Sequence, residues 1–72
     1  MKKNRISVGA DMAKRRKEKK MTQAELAAVL GVSQRMIAAC EAGERRPSVD
    51  LAQRIGQQLG IPWTDFYEEG EA

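Results

Sequence analysis

The chain has no histidine, one cysteine, two prolines and three aromatic side chains, Trp63, Phe66 and Tyr67. Without histidine, and with Cys40 as the lone thiol, it can assemble neither a His/Cys metal cluster nor an internal disulfide. A domain of 72 residues is near the lower size limit for folding unaided, so it must rely on a small apolar core in a reducing compartment. Cys40 lies on an apolar helical stripe and reads as a packed thiol. No apolar run approaches the length of a membrane span or of a signal peptide's hydrophobic segment, which predicts a soluble, cytoplasmic protein. The absences also argue against an enzyme: there is no Gly-rich phosphate loop, no pair of carboxylates in a recognisable cleft, and no residue set for a cofactor, a metal or a small-molecule ligand.

What is present is charge, unevenly spread. The net charge of +3 hides a gradient. Residues 1–20 carry Lys2, Lys3, Arg5, Lys14, Arg15, Arg16, Lys17, Lys19 and Lys20 against only Asp11 and Glu18, whereas the ionisable groups of residues 61–72 are all acidic: Asp65, Glu68, Glu69 and Glu71. The basic end suits a polyanion and the acidic end avoids one. A charge run alone is usually a solvated face; this one gains weight from the segment beside it.

Residues 22–43 read as two short capped helices joined by a glycine turn, the build of a helix-turn-helix that reads DNA. Thr22 and Ser33 supply N-cap oxygens, and Glu25, three residues after Thr22, completes a capping box. Gly31 and Gly43 fall just past the last apolar residues, where a residue tolerant of positive φ ends a helix. Leu26, Ala27 and Leu30 form the inner stripe of the first helix, Val32 lies in the turn, and Ile37 with Cys40 or Met36 continues the stripe on the second. Small Ala27 and Gly31 are expected to let the two helices approach closely. The opposite face of the second helix presents Gln34, Arg35, Ala38 and Ala39: two long polar groups able to fork onto base edges, then two small ones that let a helix sit deep in a groove. An arbitrary helix with such a face would simply be solvated. The capped neighbour and the short Gly-Val-Ser turn favour the reading function.

Elsewhere, residues 1–7 are expected to form a basic arm, with Ser7 capping a first helix from Val8 to Lys19 that turns Val8, Met12 and Ala13 inward. Met21, just before the Thr22 cap, suits a hydrophobic staple. Pro47 pushes Arg46 out of helical geometry, making Glu44–Pro47 a loop. Ser48 caps a fourth helix with Val49, Ala52, Ile55 and Leu59 as its stripe and Gly60 as its stop. Ile61-Pro62 opens a last short helical turn, counted as the fifth helix, whose Trp63 and Phe66 close the bottom of the core. The expected fold is all-α, a compact five-helix domain over residues 8–67, followed by an acidic tail at 68–72.

Residues 8–66 resemble the phage repressor and Cro family of helix-turn-helix regulators, also called the XRE family. The resemblance rests on Arg16, the Met-Thr-Gln-x-Glu-Leu-Ala run at 21–27, Leu30-Gly31-Val32-Ser33, Ile37, Glu41-x-Gly43, Arg46-Pro47-Ser48 and Leu59-Gly60. It implies that Gln34 and Arg35 face base edges, with Ala38 and Ala39 one turn later. It also implies that Thr22 and Gln23 meet phosphate, that Gln23 steadies the end of the third helix, and that Arg45 and Arg46 are phosphate ligands. Arg16 and Glu41 would then form a largely buried ion pair. The chemistry agrees: Gln pairs with adenine N6 and N7, Arg with guanine O6 and N7, and Ala touches a thymine methyl, although Arg35 could instead take a phosphate. Arg15 and Lys19 stand where relatives carry apolar residues, Ala38 and Ala39 where longer polar groups are usual, and Cys40 where a larger aliphatic is common. These departures imply a leaner core and greater dependence on DNA shape.

The function expected is a sequence-specific DNA-binding transcriptional regulator, a repressor, that inserts the third helix (about 34–42) into the major groove. It would bind as a homodimer, with Tyr67 at the interface while Trp63 and Phe66 stay in the core. Two other classes compete. One is a partner-binding module of the same fold, antitoxin-like or paired with a larger regulator, for which no dedicated partner segment stands out. The other is a membrane-surface helix over Lys14–Lys20, which lacks the Trp, Phe or Leu face that interfacial binding requires.

Overall fold

The protein is described here by a computed structural model covering residues 5–67. Its elements are α1 (Arg5–Glu18), α2 (Gln23–Leu30), α3 (Gln34–Glu41), α4 (Val49–Leu59) and a closing 3-10 helix, Trp63–Tyr67. The fold is thus four α-helices and a 3-10 turn, not five α-helices, with no strand among the described residues. The last segment is too short to propagate an i→i+4 ladder and closes instead through the Asp65 N–H donating to the Pro62 carbonyl at 3.0 Å. Residues 1–4 of the expected arm and the acidic tail at 68–72 lie outside the described residues.

The helix starts follow local chemistry. Thr22 Oγ1 accepts from the Glu25 N–H at 3.0 Å while Glu25 Oε1 accepts from the Thr22 N–H at 2.8 Å, a complete capping box. Ser33 caps α3 through the Met36 N–H and Ser48 caps α4 through the Leu51 N–H. The stops are equally explicit: Gly31, Gly43 and Gly60 take φ of 72°, 78° and 74°, which lets the next amide turn back onto the last helical carbonyls. α1 ends the same way without a glycine, because Lys20 itself adopts φ 60° while the Met21 N–H donates to the Arg16 carbonyl at 3.1 Å.

Ser7 does not cap α1; it lies inside the helix, and residues 5–7, expected in the arm, are helical. Ile6, although 69% exposed, meets the Gly43 turn on one side, where a Cβ on Gly43 would lie 2.9 Å from Ile6 Cγ1, and this contact accompanies the extension of the helix past Ser7.

The core joins Val8 and Met12 of α1, Leu26, Ala27 and Leu30 of α2, Ile37 and Cys40 of α3, and Leu51, Ala52, Ile55 and Leu59 of α4, sealed by Ile61 and Phe66. Val49, expected in the α4 stripe, is 51% exposed. It falls off one edge of the face that buries Ala52 and Ile55, and Leu51 on the other edge is covered instead. The expected close approach at Gly31 is also corrected, since a Cβ there would meet only the Arg54 guanidinium at 3.7 Å. The tight crossing is between α1 and α3, where a Cβ on Gly9 would lie 2.5 Å from the Glu41 carbonyl oxygen. Among the described residues no helix is long and apolar enough to cross a membrane.

Candidate nucleic-acid interface

Glu41, the last residue of α3, ties three elements together. The Arg16 guanidinium donates from Nε to Glu41 Oε2 at 2.6 Å and from Nη2 to Glu41 Oε1 at 3.2 Å, while its Nη1 donates to the Met21 carbonyl at 2.7 Å. Gln23 Nε2, at the start of α2, donates to the same Oε1 at 3.0 Å. Both charged side chains are over nine-tenths buried. Desolvating two charges is costly, and the fork geometry with added hydrogen bonds is what makes such a pair tolerable. The result is a brace: α1, the entry to α2 and the exit of α3 cannot shift independently.

On the outer side of α3, Gln34 and Arg35 are exposed, whereas Ala38 and Ala39 are half-buried. Ser33, Arg35, Met36, Ala39, Glu44 and Arg45 line a shallow depression of about 300 Å³ beside the start of the helix. Met36 and Glu44 were not among the candidates from sequence. Met36 was counted toward the core, and its thioether does receive the Cys40 thiol at 3.9 Å. Glu44 lies between the Gly43 turn and two arginines, which is the signal that could have placed it here. Burial pushes the Cys40 thiol above its ordinary range, with Arg45 partly opposing this, so Cys40 is a packed neutral group on the inner face.

Polar groups flank the outer face of α3 on both sides. Thr22 is exposed at the start of α2; its hydroxyl accepts the cap bond and still has its own O–H to donate. The Gln23 amide has a second N–H beyond the one given to Glu41. In the loop after α3, Arg45 and Arg46 are exposed. The Arg46 guanidinium lies over the Tyr67 ring, 5.5 Å from its centroid, and the Tyr67 hydroxyl donates to the Pro47 carbonyl. Tyr67 is half-buried against its own chain, while Phe66 is buried and Trp63 half-buried. Burial raises the Tyr67 phenol above its ordinary range, and the Arg46 charge works against that rise.

A capped α2, a glycine turn and a capped α3 with an exposed polar outer face define a helix-turn-helix protein. The helix-turn-helix family model matches residues 12–66, and the chain belongs to that family, in its XRE-type form. It is 38% identical over 58 residues to the uncharacterized HTH-type transcriptional regulator YqaF of Bacillus subtilis, covering 81% of this chain and 76% of that one. It is 39% identical over 54 residues to the uncharacterized HTH-type transcriptional regulator y4dJ of Sinorhizobium fredii, covering 75% and 70%. A third similar protein, an uncharacterized HTH-type transcriptional regulator of Methanothermobacter thermautotrophicus, is 49% identical over 45 residues, 62% of this chain and 65% of that one. No solved structure matches.

Proposed function

We propose that this DNA-binding transcriptional regulator is a sequence-specific repressor that lays α3 in the major groove and blocks transcription by occupying its operator. The observation that carries this reading is the pairing of an exposed Gln34 and Arg35 on α3 with a brace that fixes α3 against α1 and α2. Gln34 and Arg35 take base edges, Ala38 and Ala39 allow close approach to thymine methyls, and Thr22, Gln23, Arg45 and Arg46 take phosphates on either side. A single α3 inspects too few base pairs to locate a genomic site. The functional unit is therefore a two-fold dimer on half-sites about 34–36 Å apart.

Selection of bound duplexes from a random pool tests readout and symmetry together, with a palindromic consensus as the expected result. On the selected site, Gln34→Ala or Arg35→Ala should each cost about 1–3 kcal/mol while leaving affinity for scrambled duplex nearly unchanged. Equal losses on both duplexes would reassign these side chains to phosphate. Sedimentation with a palindromic duplex should show two chains per site, and saturation at one would refute the dimer.

A further inference from the structure

We propose that Tyr67 is a positioning residue for DNA binding: it holds Arg46, and the loop that carries it, in place for the phosphate backbone. The inference rests on the reading of Arg46 as a phosphate ligand.

The loop between α3 and α4 must place a cation accurately although it has no regular structure of its own. Pro47 favours extended geometry at Arg46, and Ser48 is committed to capping α4, so the backbone on the C-terminal side is determined. The side chain is a separate matter, because an exposed arginine samples many rotamers and loses that freedom when it grips a phosphate. Tyr67 acts on both levels. Its hydroxyl donates to the Pro47 carbonyl, which ties the loop to the closing 3-10 helix, and its ring lies 5.5 Å from the Arg46 guanidinium carbon. A cation–π contact draws on the charge of the guanidinium and uses none of its N–H donors, which a phosphate takes, so the two contacts are compatible. The ring is itself oriented. Trp63 meets it edge-on, with centroids 6.1 Å apart and planes at 72°, and Trp63 in turn packs at Gly56 of α4, where an added Cβ would lie 3.4 Å from Trp63 Cβ. A line of contact therefore runs from α4 through two aromatic rings to the cation. An ordered arginine loses less freedom on binding than a mobile one, which is how a residue that need not touch DNA raises affinity.

The test compares full-length Tyr67→Leu, Tyr67→Phe and Arg46→Ala proteins by gel-shift titration on a random duplex across a salt series, with circular dichroism to establish that each is folded at the assay temperature. Arg46→Ala should weaken binding about tenfold and flatten the log–log salt slope by about one unit. Tyr67→Leu should weaken binding about two- to fivefold, the size of an exposed cation–π contact. Tyr67→Phe, which keeps the ring, should lose less. The deciding variant is the double one: on an Arg46→Ala background, Tyr67→Leu should cost clearly less than on the wild type, keeping only the share that comes from untying the loop, and Arg45 with it, from the closing 3-10 helix. An equal Tyr67→Leu loss on both backgrounds would show that the tyrosine acts only on the fold and would overturn the inference while leaving the DNA-binding reading intact. Unchanged binding by Arg46→Ala would overturn the inference at its root, since the phosphate assignment would be wrong.

Discussion

Gly9→Ala sets helix propensity against packing, and the structure decides which wins. In the interior of α1, replacing glycine by alanine should on propensity alone stabilise the protein by about 1 kcal/mol. Against this, the new Cβ would lie 2.5 Å from the Glu41 carbonyl oxygen, 2.6 Å from the Cys40 carbonyl oxygen and 2.9 Å from the Glu41 carbonyl carbon. These are backbone atoms at the end of α3. They cannot swing aside as a side chain could, and the Cys40 carbonyl also accepts the Gly43 N–H at 3.2 Å. Non-bonded heavy atoms settle near 3.5–4.0 Å, so α1 must withdraw from α3 by about 1 Å. The withdrawal stretches the Arg16–Glu41 fork, whose Nε–Oε2 distance is 2.6 Å, and loosens Val8 and Met12 against the core. Overpacking typically costs about 1–3 kcal/mol, and partial disruption of a buried ion pair adds about 2 kcal/mol, giving a net loss of about 2–4 kcal/mol after the propensity gain of about 1 kcal/mol.

That loss is large here, because a chain of 72 residues has about 4–11 kcal/mol in all. At about 4–8 °C per kcal/mol, thermal melts followed by circular dichroism should show the midpoint falling by about 10–30 °C. Ala10→Gly, at the exposed neighbouring position, is the control and should lose only about 1 kcal/mol. A Gly9→Ala protein that melts at or above the wild-type temperature would mean that α1 and α3 do not cross as closely as described.

Arg16→Met or Glu41→Leu should each destabilise the protein by about 3–5 kcal/mol, because each strands a buried partner, and the double variant Arg16→Met with Glu41→Leu should recover much of the loss; additive losses in the melts would show the two groups uncoupled. Lys20→Gly should raise the melting midpoint by several degrees, a gain of about 0.5–1 kcal/mol from relieving a left-handed residue less the added freedom of glycine in the unfolded chain; an unchanged midpoint would rule out strain at Lys20. Since burial raises the Cys40 pKa above its ordinary 9.0, the folded state holds the thiol proton more tightly than the unfolded one. The stability this provides is complete below pH 9 and declines as pH rises through the folded value, by at most about 1.4 kcal/mol per pH unit, so Cys40→Ala should lose less stability than wild type as the pH is raised above 9, and parallel curves would contradict this.

Features whose cause is local in the chain were legible in the sequence. Thr22, Ser33 and Ser48 cap through amides three residues away, and Gly31, Gly43 and Gly60 end helices through their own φ, so a reading of neighbours suffices. Ser7 misled because its local signal was genuine and the helix nonetheless extends past it, where Ile6 meets the distant Gly43 turn. Val49 misled because three-residue spacing admits either edge of a stripe, and only the packing of α4 selects Leu51. Gly9 and Lys20 gave no signal: close approach between α1 and α3 depends on residues 32 positions apart in sequence, and lysine carries no mark of a left-handed backbone. At the interface, the residue types on α3 were readable from helical phase. The contact of Tyr67 with Pro47 and Arg46 was not, because it joins the end of the domain to a loop twenty residues earlier.

The outer face of α3 is sparse, and under the proposed function that sparseness explains where the rest of the molecule invests its order. With Ala38 and Ala39 half-buried and short, the proposed function leaves base edges on α3 to Gln34 and Arg35, the two long exposed side chains at its start. Each good bidentate contact is worth about 1–3 kcal/mol of discrimination, so two of them leave much of the specificity to DNA shape and to the register in which the backbone is held. Register is a matter of distances between phosphate ligands, and the ligands proposed above stand on separate elements: Thr22 and Gln23 at the start of α2, Arg45 and Arg46 after α3. A ruler made of separate pieces measures only if the pieces are rigidly joined. The Arg16–Glu41–Gln23 cluster joins α1, α2 and α3 at one end of the reading helix, and Tyr67 joins the Arg46 loop to the body at the other. A buried ion pair is a poor source of stability but a good source of fixed geometry, and fixed geometry is what a reader with so few base contacts requires.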